Sequence, residues 1–292
     1  MPQLREITTL DDVEFAKSMT NKTADLLPIH HALRNVPTNG AARHRLFAYP
    51  EDVPVFWFCF IDTPLETPTM LLVRDPSVLF DSASFEAGIT LFLEKIAPSL
   101  QDAPRFNAVC ERALSYELSR LIPSFVPHLS AVNKPYHLFY MNDAQLAKLA
   151  ELEISLPYGY SFESVNLDED AAEIAATSDD TLTVDAAKRR LSSLPYVLIR
   201  GPGGQAVSHE LTSPSGGLTH LYTHPDHRRR GLGSSAELKL AQHNASLGNA
   251  PYKAVCTYNV SVHRSSEESP FWTMLNRKGT PVDFVFEQFQ LP

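Results

Sequence analysis

The chain is poor in cysteine and in positive charge. Its 292 residues include three cysteines, Cys59, Cys110 and Cys256, which are odd in number and far apart. This spacing favours neither a disulfide framework nor a CxxC metal site, and an intracellular, reducing setting fits it best. The formal net charge of −9 argues against a nucleic-acid partner, because contacts with phosphate supply most of that affinity.

Long apolar runs are missing as well. The longest, "VPVFWFCFI" at residues 53–61, is far shorter than the roughly 20 residues that span a bilayer. It predicts a strand buried on both faces and no membrane span. The first residues show neither the apolar segment of a signal peptide nor the Arg-rich, acid-poor composition of a transit peptide.

The length and the apolar fraction of 43% predict two domains with well-formed cores. Short strand and helix patterns alternate along the chain, which indicates an α/β fold with a mixed sheet. The Pro/Gly stretch around Pro157 and Gly159 is the predicted junction. We therefore expect an N-terminal domain over residues 1–155 and a C-terminal domain over residues 156–292.

One stretch, "HPDHRRRGLG" at residues 224–233, places three arginines beside two glycines. It follows a predicted strand, "GLTHLYT", and precedes a helix predicted from about Gly233 to Leu247. Backbone N–H groups at a helix start bind anions, and glycine lets a phosphate approach the backbone. Because GxxxxGK[ST] and GxGxxG are both absent, the stretch predicts a pyrophosphate cradle of another kind, with a basic surface turn as the alternative.

The segment "LYTHPDHRRRGLG" resembles the coenzyme A-binding motif of the GNAT acyltransferases, V-x-P-x-x-[RQ]-x-x-G-x-[GA]. Residues 191–217, "HLFYM" at 137–141 and "EDA" at 169–171 resemble the glycine N-acyltransferase-like branch of that superfamily. The resemblance is specific in the second half of the chain and diffuse in the first. It implies two tandem GNAT-like domains, the N-terminal one degenerate, and transfer of an acyl group from acyl-CoA to glycine or a related small amino acid.

The resemblance also implies acyl-CoA as co-substrate and no metal. The implied contacts lie in the strand before the cradle, in the cradle and after a later strand: Leu221, Tyr222, Thr223, Arg228, Arg229, Arg230, Gly231, Leu232, Gly233, Ser234 and Asn259. The strand amides at 221–223 are expected to stabilise the oxyanion of the thioester. His220, His224 and His227 are spaced like metal ligands. Because Pro225 interrupts any helix and HExxH is absent, we do not expect them to bind a metal.

Glu210 and His220 are the catalytic candidates. An amino-acid amine is mostly protonated at neutral pH, so the reaction needs a base, and these two residues lie roughly opposite each other in a predicted hairpin. Glycine-conjugating relatives carry a glutamate eight positions before the proline of the motif, where this chain has Gly217. Either candidate replaces that glutamate, or the acceptor differs, or the two form a solvated cross-strand pair.

The family's tyrosine that protonates the departing thiolate has no clear counterpart here. Trp272 lies in that region, and packing in the core or substrate channel is its preferred role. Tyr258 is a weaker alternative for the acid.

Three functions stay open at this point. The first is direct transfer to a small amino acid in a ternary complex, the second is acetylation of a protein lysine or an arylalkylamine, and the third is binding of acyl-CoA without catalysis. The expected partners are acyl-CoA and a small amine, and the expected state is a monomer. The resemblance implies mitochondria, with the cytoplasm as the alternative.

Overall fold

The computed structural model describes residues 2–21, 23–33, 43–63, 65–178 and 182–291. It divides into two compact units: Met1–Leu138, Val255–His263 and Met274–Pro292 form the first, and Phe139–Ala254 and Arg264–Thr273 form the second. These units are interleaved along the chain, whereas the domain ranges 1–155 and 156–292 are consecutive and stay predictions.

Strands and helices alternate along the described residues. The strands are β1 (Arg5–Ile7), β2 (Arg43–Tyr49), β3 (Phe56–Asp62), β4 (Thr69–Arg74), β5 (Arg105–Glu111), β6 (Ser130–Tyr140), β7 (Ser161–Glu163), β8 (Tyr196–Arg200), β9 (Ala206–Thr212), β10 (Leu218–Thr223), β11 (Tyr252–Cys256), β12 (Thr273–Met274), β13 (Asn276–Arg277), β14 (Thr280–Pro281) and β15 (Asp283–Gln290). The helices are α1 (Leu10–Thr20), α2 (Leu27–Ala32), α3 (Ser82–Gln101), α4 (Arg112–Leu121), α5 (Asp143–Ala150), α6 (Asp170–Ala176), α7 (Val184–Ser193), α8 (Leu232–Ser246) and α9 (Val260–Glu268).

The first unit is built on a sheet of order β1-β2-β3-β4-β5-β15-β6, in which β4 and β5 are parallel and the other pairs antiparallel. The strand predicted at residues 53–61 is β3, and it is buried on both faces as predicted. Its side chains alternate between two cores, because successive residues of a strand point to opposite faces. Phe58 packs in the core that contains residues of α3, and Trp57 packs in the core that contains residues of α1 and α2.

The second unit has a sheet of order β11-β10-β9-β8-β7, with β10 and β11 parallel and the other pairs antiparallel. Alternation along the buried strand β9 sets its two faces. Leu211 packs with Ile174 of α6 and Leu191 of α7, whereas Thr212 accepts a hydrogen bond from Asn244 of α8 at 3.1 Å. Odd-numbered residues of β9 therefore face α6 and α7, and even-numbered ones face α8.

Each unit is thus a mixed sheet with helices on both faces, which confirms the predicted α/β class. In the part of the chain that the structure describes, no helix is both long enough and apolar enough to cross a membrane.

Candidate functional site

The predicted cradle is a turn that joins β10 to α8. Pro225–His227 form one turn of 3-10 helix, and Gly231 then precedes α8 with φ of 80°. Glycine adopts this left-handed conformation without steric cost. A Cβ atom at Gly231 would meet open space, so the backbone conformation rather than crowding explains glycine here.

The start of α8 carries backbone N–H groups that the protein itself does not satisfy. Gly231 provides no side-chain cap, and within the described ranges none of the N–H groups of residues 229–234 makes a hydrogen bond of ordinary geometry. Ser235 is the first residue of the helix to donate, to the carbonyl of Gly231 at 2.9 Å. An anion placed here meets several N–H donors and the positive end of the helix dipole.

Three exposed arginines surround these amides. Arg228 Nε donates to the carbonyl of Thr223 at 2.9 Å, which ties the end of β10 to the turn. Arg230 lies 6.0 Å above the ring of Tyr160. Leu232 differs from its neighbours because its side chain is 1% exposed and anchors the first turn of α8 in the core.

Strand β10 is irregular just before the cradle. Its register with β9 shifts between Thr219 and Tyr222, so His220 and Leu221 form a β-bulge. His220 has φ of 57°, an unfavourable conformation for a residue with a side chain, which surrounding contacts must hold in place. Bulges of this kind re-aim the backbone and are common beside active sites.

The pairing of β10 with β11 in the described structure is a single parallel pair, Leu218 with Lys253. The ladder between the two strands therefore ends where β10 begins to bulge. This is the place at which the sequence predicts strand amides for the thioester, at residues 221–223.

In the described residues of the first unit, the elements β4, α3 and β5 follow the same order as β10, α8 and β11. They show neither an uncapped helix start nor a parallel ladder that ends after one pair. Its parallel strands β4 and β5 pair over four consecutive residues, starting at Thr69 with Asn107. Its helix α3 is capped by Asp81, whose carboxylate accepts from the N–H groups of Ala83 and Ser84, both at 3.3 Å. In this unit a carboxylate of the chain occupies the helix start, where an anion would otherwise bind, and the parallel strands stay paired. That the N-terminal domain is degenerate stays a prediction.

Glu210 and His220 do not meet. Glu210 stands opposite the bulge, but as an even-numbered residue of β9 its carboxyl points to the α8 side. The His220 imidazole lies instead against the end of α6, where its Nδ1 is 3.0 Å from the hydroxyl of Ser178. The structure therefore places the two candidates on opposite faces of the sheet.

The carboxyl of Glu210 is 2% exposed, and its Oε2 has no hydrogen-bond partner among the described residues. Burial raises its pKa well above the ordinary value, the charge of Glu237 raises it further, and Lys253 opposes this shift. Burial therefore favours the protonated form of the Glu210 carboxyl, because it raises the pKa of this group.

The neighbours of Glu210 form a buried polar cluster that includes Trp272. Lys253 Nζ contacts Glu237 Oε1 and lies 4.4 Å above the Trp272 ring. The indole Nε1 of Trp272 donates to Glu237 Oε2 at 2.7 Å. Trp272 is a packing residue of this cluster, in line with the role preferred for it above.

Gly217 has a structural reason to be glycine. A Cβ atom there would lie 2.9 Å from the ring of Tyr252, and the hydroxyl of Tyr252 is fixed by a 2.8 Å bond to the carbonyl of Ser215. A glutamate at this position would therefore displace Tyr252.

Asn259 belongs to the first unit and lies at the start of α9. Its Oδ1 is 3.4 Å from the N–H of Val262, and its carbonyl accepts from His263 at 2.9 Å. These contacts describe a helix cap, and the predicted contact of Asn259 with coenzyme A stays a prediction.

Sequence reasoning passes over His209, which precedes Glu210 in β9. The imidazole is 4% exposed and faces α6, as the alternation along the strand would have indicated. No group of three His, Cys, Asp or Glu side chains suited to a metal ion occurs among the residues that the structure describes.

Comparisons with known proteins agree with this geometry. Residues 197–264, which contain the bulge and the cradle, match the family model described as FR47-like protein. No curated protein sequence matches the chain.

Among solved structures, a Drosophila protein superposes with a TM-score of 0.71 at 11% identity, over 100% of this chain and 99% of that one. A tandem GNAT protein from the clavulanic acid biosynthesis pathway gives 0.52 at 14%, over 98% of each chain. A GCN5-related N-acetyltransferase from Kribbella flavida gives 0.51 at 15%, over 94% of this chain and 95% of that one. The chain thus has the same two-domain fold as these proteins, one of which is a tandem GNAT protein.

Proposed function

We propose that this protein is an acyl-CoA-dependent N-acyltransferase that moves an acyl group to the amine of glycine or a related small amino acid. The observation that carries the proposal is the set of unsatisfied N–H groups at residues 229–234, beside three arginines and a bulged strand. The FR47-like match and the GNAT fold support the same class of reaction.

The donors of the cradle suit a diphosphate. N–H groups and guanidinium groups both donate to phosphate oxygens, and the Cβ-free Gly231 and Gly233 keep the approach to the backbone open. The acyl end of the co-substrate would lie along residues 221–223, whose N–H groups are the proposed donors to the thioester oxygen. Asn259 is kept as a further proposed contact.

We assign the role of base to His220. It is partly exposed at the bulge, whereas Glu210 is buried on the other face, where burial raises its pKa and favours the protonated carboxyl. The base takes a proton from the ammonium group of the acceptor, the nitrogen then bonds to the thioester carbon, and the carbon–sulfur bond breaks. The nitrogen releases its second proton as the amide forms, and coenzyme A, which leaves as a thiolate, takes up a proton because a thiol pKa lies near 8.5.

A free-thiol assay tests this function. Purified protein is mixed with a panel of acyl-CoAs and amines, and we expect thiol release that requires both substrates. Binding of CoA without thiol release would support the non-catalytic alternative, and preference for a lysine peptide or an arylalkylamine would support the second alternative. Absence of CoA binding would overturn the proposal.

Two matched variants test the assignment of the base. We expect His220→Gln to lower turnover at pH 7 far more than at pH 9, where the amine deprotonates without help. Glu210→Gln should retain turnover, because the amide has nearly the shape of a buried carboxyl that lies on the opposite face of the sheet from His220. The opposite ranking would transfer the role to Glu210.

We also propose that the protein is a monomer and, from the family resemblance, that it is mitochondrial. Light scattering of the purified protein and fractionation of cells that express it test these two points.

A further inference from the structure

His209 lies between the bulged strand and the end of α6. Its ring stacks on that of Tyr222, with centroids 5.5 Å apart and planes 29° apart, and Tyr222 is the first residue to pair with β9 after the bulge. The side chain of His209 therefore packs against the segment of β10 that follows His220.

The other contact of His209 fixes the position of its proton. Thr177 Oγ1 donates its single hydrogen to the carbonyl of Ile174 at 2.9 Å, so it accepts from His209 Nε2, which is 3.4 Å away. Burial lowers the pKa of His209 to about 4, and the charge of Asp170 opposes this shift. The imidazole is thus neutral at pH 7, with its hydrogen on Nε2.

The next residue of the chain holds His220 in the same way. Ser178 Oγ is 3.0 Å from His220 Nδ1, so two consecutive hydroxyl groups at the end of α6 contact imidazoles from two adjacent strands. Because His220 has a positive φ, contacts such as these are needed to keep its ring in place.

We propose that His209 is a positioning residue of the acyl-acceptor site, which joins the end of α6 to β10 so that the His220 imidazole is held toward the bound amine. This inference rests on the proposed function. His209 acts through Thr177 and Tyr222 and does not itself touch the substrate.

Three variants separate its two contacts. His209→Gln keeps an N–H donor near the position of Nε2, His209→Phe keeps the stacked ring without the donor, and Thr177→Val removes the acceptor. We expect kcat to fall at least about tenfold in His209→Phe and in Thr177→Val, because small misplacements of a reacting group are costly. We expect His209→Gln to recover most of that loss.

A purely structural role predicts a different pattern. The control Ile174→Val weakens the same core without changing either imidazole contact, and it should lower the unfolding temperature while leaving kcat within twofold of the wild type. The dissociation constant for CoA should stay within twofold in all variants. If kcat follows the unfolding temperature across the series, or if His209→Gln is no better than His209→Phe, the proposal is overturned.

A measurement without substrate keeps this inference separate from the proposed function. The ring resonances of His220, followed by NMR with labelled histidine, should shift and broaden in His209→Phe but not in Ile174→Val. Unchanged resonances would refute the positioning role even in an active enzyme. A wild type that releases no thiol would refute the proposed function, while the resonances would still decide whether His209 holds His220.

Discussion

Gly233→Glu tests the cradle most directly. Gly233 is the second residue of α8, and a Cβ atom there meets Thr223 Oγ1 at 3.3 Å, which a small movement of the hydroxyl relieves. The new carboxylate would lie beside the N–H groups that are left for the diphosphate. It would compete for these donors and repel the ligand.

The expected changes in stability and in affinity have opposite signs. Replacing a helical glycine and adding an acid to the first turn should together stabilise the fold by about 1 kcal/mol. One extra like-charge pair at about 5 Å and an effective dielectric constant of about 20 costs about 3 kcal/mol of binding, which weakens CoA about 100-fold. The variant should therefore be at least as stable as the wild type and bind CoA far more weakly.

Titration calorimetry with CoA and thermal unfolding give the two quantities. Ala83→Glu is a matched control, because Ala83 is the second residue of α3, where Asp81 already occupies the amides. Its affinity for CoA should equal that of the wild type. Equal affinities of Gly233→Glu and Ala83→Glu would refute the assignment of the cradle.

Three further predictions concern buried groups. Burial raises the pKa of Glu210 above its unfolded value of 4.5, so native stability falls as pH rises toward that raised pKa. The unfolding free energy of Glu210→Gln, measured with urea, should therefore exceed that of the wild type at pH 8 but not at pH 4. For His209 the pH dependence of stability has the opposite sign, because its pKa is about 4 in the native state and 6.5 when unfolded. The unfolding free energy of the wild type should therefore fall by about 2 kcal/mol from pH 7 to pH 5, and His209→Gln should lack this contribution to the fall. Gly217→Glu should lower the unfolding free energy by about 1–3 kcal/mol through the clash with Tyr252, and a gain in turnover without that loss would contradict the packing argument.

The cradle was predictable because its signals are local. A proline, glycines and arginines between a strand and a helix pattern specify a turn and a helix start without any distant contact. The helix predicted from about Gly233 to Leu247 is α8, Leu232–Ser246. The run at residues 53–61 likewise predicted a strand buried on both faces, because its apolar side chains do not alternate with polar ones.

The relation between Glu210 and His220 was not predictable from the hairpin. The period of a strand is two, so one bulge changes which side chains share a face, and no residue type in "GLTHLYT" marks where the bulge falls. The face that His209 occupies follows from the alternation along β9, but its contacts with Thr177 and Tyr222 depend on the tertiary structure. The obstacle to a glutamate at Gly217 comes from Tyr252, 35 positions further along, which only the parallel approach of β10 and β11 brings near.

The sequence by itself determined the α/β class and the glycine-rich turn before α8, because helix starts, glycine conformations and apolar runs are properties of short segments. The acyl-CoA hypothesis came from the resemblance of that turn to a known motif. The tertiary structure decided which face each candidate side chain occupies, which carboxyl is buried with a raised pKa, and which helix start is already capped by Asp81. Those outcomes depend on strand register, burial and contacts between distant segments, and a linear pattern of residues does not fix them.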